Sequence, residues 1–230
     1  NPNAGKTRIY NALTGECRPT GNWAGVTVDR CEQVCDVYQH KYQVSDLPGC
    51  YSLTFAADGV GLDQQLTQEF LLNNQVDVII NVVDATALAR HLYLTCQLIE
   101  LQIPMFIVVT KLDLLSQSDR SLDTNLLASN LGVDVIGVNC NCSNEIVMFK
   151  RKLHALAKNA KTPTITHIQE TWGVVIDQLS HLIHCAYGAK KNKRLMALAY
   201  LEGVINPPSS ITTQVEKALK SLSGHCQEPL

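Results

Sequence analysis

A phosphate-binding loop lies at the start of the chain and constrains what the rest of it can fold into. Residues 1–7 read NPNAGKT and match the motif G-x-x-x-x-G-K-S/T from its second position onward. Gly5 lets backbone N–H groups approach phosphate oxygens, Lys6 reaches the β- and γ-phosphates, and the Thr7 hydroxyl ligates Mg²⁺. The helix expected over residues 8–14 directs its positive end at the same phosphates. A short G-K-T sequence also arises by chance, so the motifs that follow decide the interpretation.

The pattern of apolar residues predicts an α/β fold up to about residue 160. Runs rich in β-branched residues indicate strands at residues 42–46, 76–84, 105–110 and 133–139. Helical periodicity separates them at residues 63–74, 87–101, 122–131 and 145–159. Strands that alternate with crossover helices form a mostly parallel, doubly wound sheet, and ligands bind at the carboxyl ends of its strands. Asp46 and Asp84 each end a predicted strand and therefore face that edge of the sheet.

Beyond residue 160 the pattern changes to that of a small helical subdomain. Helices are predicted at residues 165–187, 191–204 and 211–222, so we divide the chain into domains 1–160 and 161–230. The longest apolar stretch, residues 76–83, contains Asp77 and Asn81 and is too short to cross a bilayer. The net charge of −2 gives no electrostatic argument for nucleic-acid binding.

Two downstream motifs suit the phosphate end of a nucleotide. Residues 21–28 (GNWAGVTV) form a glycine-punctuated loop in which Thr27 can close over Mg²⁺ and the γ-phosphate, as the switch loops of GTPases do. Residues 46–49 (DLPG) follow a strand, where Asp46 can hold Mg²⁺ through water and the Gly49 N–H can bond the γ-phosphate. Both motifs therefore predict contacts to the γ-phosphate and its Mg²⁺.

A third motif suits the base. Thr110, Lys111 and Asp113 follow a buried strand, and the Asp113 carboxylate can accept hydrogen bonds from the N1 and N2 donors of guanine, which adenine lacks on that edge. Each motif alone also fits a strand exit, a helix cap or an ordinary loop. Together, in this order and at the ends of predicted strands, the motifs predict a GTPase.

The nine cysteines are interpreted as reduced and mostly buried small hydrophobic residues. Their number is odd, and their spacing does not resemble a small disulfide framework. Two cysteine pairs have a spacing that could supply two ligands of a metal site. They are Cys31 with Cys35 and Cys140 with Cys142. Neither pair is matched by a second pair of cysteines or histidines, so we favour the structural interpretation over a metal site.

Five stretches resemble the N-terminal cytosolic G domain of the bacterial ferrous iron transporter B (FeoB) family. They are residues 1–7, 21–28, 46–54 (DLPGCYSLT), 80–85 (INVVDA) and 90–95 (RHLYLT). The tryptophan-bearing loop followed by D-L-P-G-x-Y-S-L is specific to this family among GTPases. Residues 193–203 (KRLMALAYLEG) resemble the family's helical subdomain, which is described as a spacer or as similar to a nucleotide-dissociation inhibitor. The resemblance is strong up to about Asp113 and looser after Gly132.

The resemblance implies a P-loop GTPase attached, in one polypeptide, to an Fe²⁺ permease at the cytoplasmic face of the bacterial inner membrane. It implies slow hydrolysis of GTP that depends on Mg²⁺ and is stimulated by K⁺. The implied partners are GTP, GDP, the permease and a second copy of the chain, but no nucleic acid.

The candidate site residues follow from the motifs and the resemblance together. The expected nucleotide contacts are Asn3, Ala4, Gly5, Lys6, Thr7, Arg8, Gly25, Val26, Asp46, Gly49, Thr110, Lys111, Asp113, Cys140 and Asn141. The residues assigned to catalysis are Asn3, Lys6, Thr27 and Gly49. The Mg²⁺ ligands are Thr7, Thr27 and Asp46, and the implied K⁺ ligands are Asn3 with carbonyl groups around Asn22 and Trp23.

The sequence departs from the family pattern in several places. Thr110 replaces the usual asparagine, and we expect its hydroxyl to buttress the phosphate loop while affinity falls by about 1 kcal/mol. The base-capping loop at residues 139–143 (NCNCS) lacks a clear S-A pair. Cys50 and Tyr51 provide no glutamine to orient water, in keeping with the glutamine-independent hydrolysis of the family. The strand that normally leads into the phosphate loop is not part of the given sequence, and we expect a sheet without it to leave two neighbouring strands with unpaired edges.

Two other functions stay open from the sequence. One is a nucleotide-gated interaction module with negligible hydrolysis, which the missing glutamine, Thr110 and the base-capping loop favour. The other is a GTPase associated with the ribosome or tRNA. Such proteins usually append basic RNA-binding domains, whereas the tail of this chain is mixed in charge.

Overall fold

The phosphate loop leads directly into a helix. The computed structural model of the chain describes residues 1–15, 21–22, 29–53, 61–117, 120–139, 143–159, 161–163, 170–187, 192–201 and 206–223. Helix α1 (Lys6–Thr14) begins at the lysine of the motif and buries Ile9, Tyr10 and Leu13. Gly5 precedes it at a φ of 86°, a left-handed conformation that glycine adopts without strain. The predicted loop-to-helix transition is therefore present.

The next three strands form an antiparallel sheet. Its order is β1 (Gly21–Asn22), β2 (Asp29–Val37) and β3 (His40–Asp46). Tyr38 and Gln39 join β2 to β3, and both have positive φ angles, 52° and 65°, as in tight hairpin turns. The strand predicted at residues 42–46 is present but begins at His40 and pairs antiparallel with β2. A two-residue turn explains this pairing, because it leaves no room for the crossover that a parallel pair requires.

A second sheet, of three parallel strands, carries the core of the domain. Its order is β4 (Ile79–Asp84), β5 (Met105–Thr110) and β6 (Asp134–Gly137). All six residues of β5 are buried, as expected for the middle strand of a sheet covered on both faces. The strands predicted at residues 76–84 and 133–139 are shorter than expected, because β4 and β6 extend only as far as their pairing with β5.

Helices cover both faces of the parallel sheet. They are α2 (Leu62–Asn73), α3 (Leu88–Glu100), α4 (Leu112–Ser116), α5 (Thr124–Leu131) and α6 (Ser143–Lys158), with a 3-10 turn (Ala85–Ala87) before α3. Along β5, Ile107 belongs to a cluster with Ile99 of α3, whereas Phe106 belongs to a cluster with Ile9 of α1 and Phe149 of α6. Neighbouring strand residues thus point to opposite layers, which confirms the doubly wound α/β fold.

No strand pairing joins the two sheets in the part of the chain that the structure describes. Among the described residues, β3 and β4 are edge strands, and they border a cavity of about 650 Å³. Its lining includes residues 41–48 on one side and residues 76–82 on the other.

In the described part of the chain after residue 160, three helices follow the α/β domain. They are α7 (Glu170–Tyr187), α8 (Lys193–Leu201) and α9 (Ser209–Ser223). Ile176 of α7 lies in a core that these helices share, whereas Leu195 of α8 packs into the cluster of α3 and β5. Arg194 also donates a hydrogen bond of 2.7 Å to the backbone oxygen of Glu100, at the end of α3. Parts of the predicted segments 165–187 and 191–204 lie outside the described residues, and the boundary at residue 160 stays a prediction.

No helix within the described ranges is both long and apolar enough to span a membrane.

Candidate functional site

The phosphate loop is held against the ends of β4 and β5. The Asn1 side chain donates to the backbone oxygens of Val82 and His91, at 3.5 and 3.4 Å. From the end of β5, the Thr110 hydroxyl donates to the backbone oxygen of Ala4 at 2.8 Å. Ala4 is completely buried, so the loop has little freedom at this point. The buttressing hydrogen bond predicted for Thr110 is present.

The first turn of α1 offers donors to an anion. Gly5 has no side chain to cap the helix, and the first turn contains no acidic residue. The backbone N–H groups of such a helix end lack intrahelical partners and carry partial positive charge, which favours phosphate. Arg8 lies in the same turn and is exposed. The geometry of this turn suits the predicted role of the loop.

Lys6 and Gly49 meet beside the loop. The Lys6 Nζ donates to the backbone oxygen of Asn1 at 3.1 Å, so the side chain folds back over the loop. A Cβ atom at Gly49 would lie 2.9 Å from Lys6 Nζ and 3.0 Å from the Cα of Pro2. Because these distances leave no space for a side chain, only glycine brings its backbone so close to the lysine. Two of the residues assigned to catalysis are therefore neighbours.

Thr7 and Asp46 form the oxygen-rich side of the site. The Thr7 hydroxyl donates to Oδ2 of Asp46 at 3.4 Å. Burial raises the pKa of Asp46 above its usual value, and the nearby Lys6 and Thr7 offset this only in part. A hydroxyl and a poorly solvated carboxylate are ligands that Mg²⁺ prefers, and a cation would stabilise the charged form of Asp46. The residues present therefore fit Mg²⁺.

The residues expected to bind the base connect to the phosphate loop through Lys111. Its backbone is left-handed, with a φ of 59°, and its Nζ donates to the backbone oxygen of Asn3 at 2.9 Å. Asp113 lies in the first turn of α4 and is half-buried. A Cβ atom at Gly137 would lie 2.5 Å from Leu112 Cδ1, so the end of β6 packs closely on α4. The ends of β5 and β6 thus place Asp113 at the same edge as the loop.

Asp84 is a residue of this edge that the sequence analysis left without a role. Its Oδ2 accepts a hydrogen bond of 2.5 Å from Lys111 Nζ, and its Oδ1 accepts from the backbone N–H and the hydroxyl of Thr86. Burial alone would raise the pKa of Asp84, but these hydrogen bonds outweigh it and hold the pKa below its usual value. Asp84 and Thr110 are paired across β4 and β5. Both residues end predicted strands, but only the pairing of β4 with β5 shows that the two ends lie at the same level.

Part of the predicted site lies outside the described residues. This applies to Trp23, Gly25, Val26, Thr27, Cys140 and Asn141. Asn22 lies on β1, and its backbone is paired with Asp29. Asn3 is exposed, with a φ of 55°. The contacts of the switch loop, the base-capping loop and K⁺ therefore stay predictions.

The cysteines of the described ranges are free thiols. They are Cys31, Cys35, Cys50, Cys96 and Cys185, of which the first three are buried. Burial raises the pKa of Cys50, which keeps this thiol neutral next to the loop. Among the residues that the structure describes, no group of three His, Cys, Asp or Glu side chains is arranged to hold a metal ion.

Comparison with known proteins identifies close relatives over the whole chain. A family model described as ferrous iron transport protein B matches residues 1–153. The Fe(2+) transporter FeoB of Escherichia coli is 35% identical over 232 residues, which cover all of this chain and 30% of that protein. The chain therefore spans less than a third of the length of this relative.

Solved structures match the fold as well. The cytosolic domain of L. pneumophila FeoB matches with a TM-score of 0.75 at 28% identity. The match covers 96% of this chain and 95% of that domain. A single-residue variant of S. thermophilus NFeoB, bound to GDP·AlF4⁻, has a TM-score of 0.73 at 28% identity, with 97% and 88% coverage. The fold of the chain is that of the P-loop GTPase domains of these proteins.

Proposed function

Because the chain belongs to the family of ferrous iron transport protein B, we propose that it binds GTP with Mg²⁺ and hydrolyses it slowly to GDP and phosphate, with stimulation by K⁺. The observation that carries this function is the convergence of Lys6, Thr7, Asp46 and Gly49 at the N-terminus of α1. The S. thermophilus relative binds GDP·AlF4⁻, in which the fluoroaluminate stands in for a phosphoryl group in transfer. This supports hydrolysis of a guanine nucleotide at the same loop.

The residues of the site divide the work between binding and hydrolysis. The α1 N-terminus and Lys6 hold the β- and γ-phosphates, and the Gly49 N–H and Thr27 report the presence of the γ-phosphate. Asp113 accepts hydrogen bonds from guanine, while the stem of Lys111 packs on the base. Thr7, Thr27 and Asp46 hold Mg²⁺, and Asn3 with the carbonyl groups near Asn22 and Trp23 holds K⁺. When bound, these cations neutralise negative charge on the phosphates.

A nucleotide-gated module with negligible turnover is the second candidate. The residues that follow Gly49 favour it. Cys50 is buried, and the guanidinium carbon of Arg90 lies 4.7 Å from the centre of the Tyr51 ring. Neither side chain carries an amide that could orient an attacking water. In this case GTP and GDP would act only by biasing the switch loops.

The family also suggests the setting of this activity. The E. coli relative is named as an Fe(2+) transporter, and this chain covers 30% of it. We therefore place the chain at the cytoplasmic face of the inner membrane, where its nucleotide state regulates Fe²⁺ uptake by a permease in the same polypeptide. A second copy of the chain is a further proposed partner, whereas the net charge of −2 gives no electrostatic argument for a nucleic-acid partner.

Asn3→Ala is the variant that tests the role of K⁺. We expect it to lose the stimulation of GTP hydrolysis by K⁺ while GTP and GDP binding stays within about threefold, because the exposed Asn3 side chain does not buttress the loop. Hydrolysis rates in K⁺ and in Na⁺, with titration of fluorescent GDP, measure both effects. Asn125→Ala, an exposed asparagine on α5, is the matched control. Stimulation that survives in Asn3→Ala would remove Asn3 from the K⁺ site.

A further inference from the structure

Helix α6 exposes apolar side chains that neither the core nor the GTP site uses. Its inner side is buried, with Phe149 and Leu153 only 1% and 4% exposed within the cluster that packs on β5. On the outer side, Val147 and Met148 are 61% and 56% exposed. Exposed apolar side chains also occur elsewhere, as at Leu126, which is 59% exposed, so these two are informative only together with the groups beside them.

Cations continue the same side of the helix. Residues 147, 151, 154 and 158 are spaced by three or four positions and form one stripe, about 17 Å long at the rise of an α-helix. Arg151, Lys152 and Lys158 are exposed, and the sequence of α6 contains a single acidic residue, Glu145, in its first turn. The helix is therefore strongly positive on this side, although the chain has a net charge of −2. We define the outer face of α6 as Val147, Met148, Arg151, Lys152, Ala155 and Lys158.

The β2–β3 hairpin adds an aromatic residue beside this face. Tyr38 is 53% exposed, and its ring centre lies 5.6 Å from that of His154, a member of the stripe. The Tyr42 hydroxyl lies 2.9 Å from Nδ1 of His154 and ties the hairpin to α6. Tyrosine is enriched at membrane–water interfaces, because its ring is apolar and its hydroxyl is polar. Aliphatic, aromatic and cationic groups thus share one surface.

We infer that the outer face of α6 lies on the surface of an anionic phospholipid membrane, with Val147 and Met148 between the headgroups and Arg151, Lys152 and Lys158 at the lipid phosphates. A basic amphipathic helix that lies in the interface combines buried apolar area with attraction to anionic lipid. This contact goes beyond GTP hydrolysis and does not require it. It would bring the α/β domain to the surface of the bilayer.

A membrane fits this face better than a nucleic acid does. Nucleic-acid surfaces attract cations but offer no apolar phase for exposed aliphatic side chains along a duplex backbone. The outer face of α6 places Val147 and Met148 one turn before Arg151 and Lys152, which is the pattern expected for a helix at a lipid interface. Nucleic acid is therefore treated as a competing outcome of the test.

Co-sedimentation of the 230-residue chain with lipid vesicles tests this contact. We expect binding to phosphatidylglycerol/phosphatidylcholine vesicles at low salt, with release by high salt, and no binding to phosphatidylcholine alone. The double variant Arg151→Gln, Lys152→Gln should lower the partition coefficient about 30-fold. The double variant Val147→Ser, Met148→Ser should lower it about 10-fold at every salt concentration.

A matched pair of surface cations controls for overall charge. Arg120→Gln with Lys217→Gln removes the same charge from exposed positions outside α6 and should leave the partition coefficient within about twofold. Circular dichroism of each variant establishes that α6 is still folded. Failure to bind anionic vesicles, or an equal loss in the control, overturns the proposal. It is also overturned if single-stranded or duplex nucleic acid binds through Arg151 and Lys152 while vesicles do not.

Discussion

Replacing Lys6 with alanine is expected to slow the single-turnover hydrolysis of GTP about 1,000-fold, the loss typical for removal of a donor aimed at developing charge. The Lys6 Nζ lies 3.1 Å from the backbone oxygen of Asn1 and beside Gly49, between the two segments that would enclose the γ-phosphate. Without it, the charge on the transferring phosphoryl oxygens loses a protein cation in that gap. Rapid quenching with the chain in excess over radiolabelled GTP measures the rate of the chemical step.

Lys41→Ala is the control for the loss of a lysine. Lys41 is exposed on β3, and its removal should change the rate by no more than about twofold. Thermal unfolding of both variants separates a catalytic loss from a loss of fold, because Lys6 is only half-buried and its truncation leaves no large cavity. A decrease of less than about tenfold in Lys6→Ala would be incompatible with its assigned role.

The second large effect concerns the choice of base. Asp113→Asn should weaken GTP binding about 100-fold and strengthen XTP binding, since two hydrogen bonds to guanine are affected. The carboxylate of Asp113 accepts from guanine N1 and N2, whereas an amide presents its own N–H to the guanine amino group. Xanthine carries an oxygen at that position and can accept from the amide. Competition of GTP and XTP for a bound fluorescent nucleotide measures both affinities.

Asp123→Asn makes the same chemical change at a site remote from the base. Asp123 caps α5 by accepting from the N–H groups of Asn125 and Leu126, and asparagine caps helices equally well. The affinities of the Asp123→Asn variant for GTP and XTP should therefore match those of the unmodified chain. If Asp113→Asn lost GTP and XTP binding to the same extent, Asp113 would support the fold rather than read the base.

The parts of the fold and site that depend on neighbouring residues could be predicted from the sequence. Helix α1 and the turn at Gly5 follow from a motif of seven consecutive residues, and β5 follows from six consecutive apolar or β-branched positions. The hydrogen bond from Thr110 to the phosphate loop could also be predicted, because Thr110 ends a strand at the ligand-binding edge of the sheet and its hydroxyl can donate to the loop. Local chemistry and known motifs were sufficient in these cases.

Contacts set by the register of distant strands could not be predicted in the same way. The salt bridge between Lys111 and Asp84 requires β4 and β5 to end at the same level, which becomes visible only when they are paired. The cavity between β3 and β4 depends on how two separate sheets approach each other. Periodicity identifies strands, but it carries no information on which edge of one sheet faces another.

The most direct test of the proposed GTPase is single-turnover hydrolysis of GTP by the unmodified chain, with Mg²⁺ and equal concentrations of either K⁺ or Na⁺. We expect measurable formation of GDP and phosphate that is at least about tenfold faster in K⁺, because a cation held near Asn3 neutralises charge between the phosphates. Equal rates in K⁺ and Na⁺ would contradict the K⁺ site. Bound GTP that stays intact in both salts would contradict hydrolysis itself and favour the nucleotide-gated module.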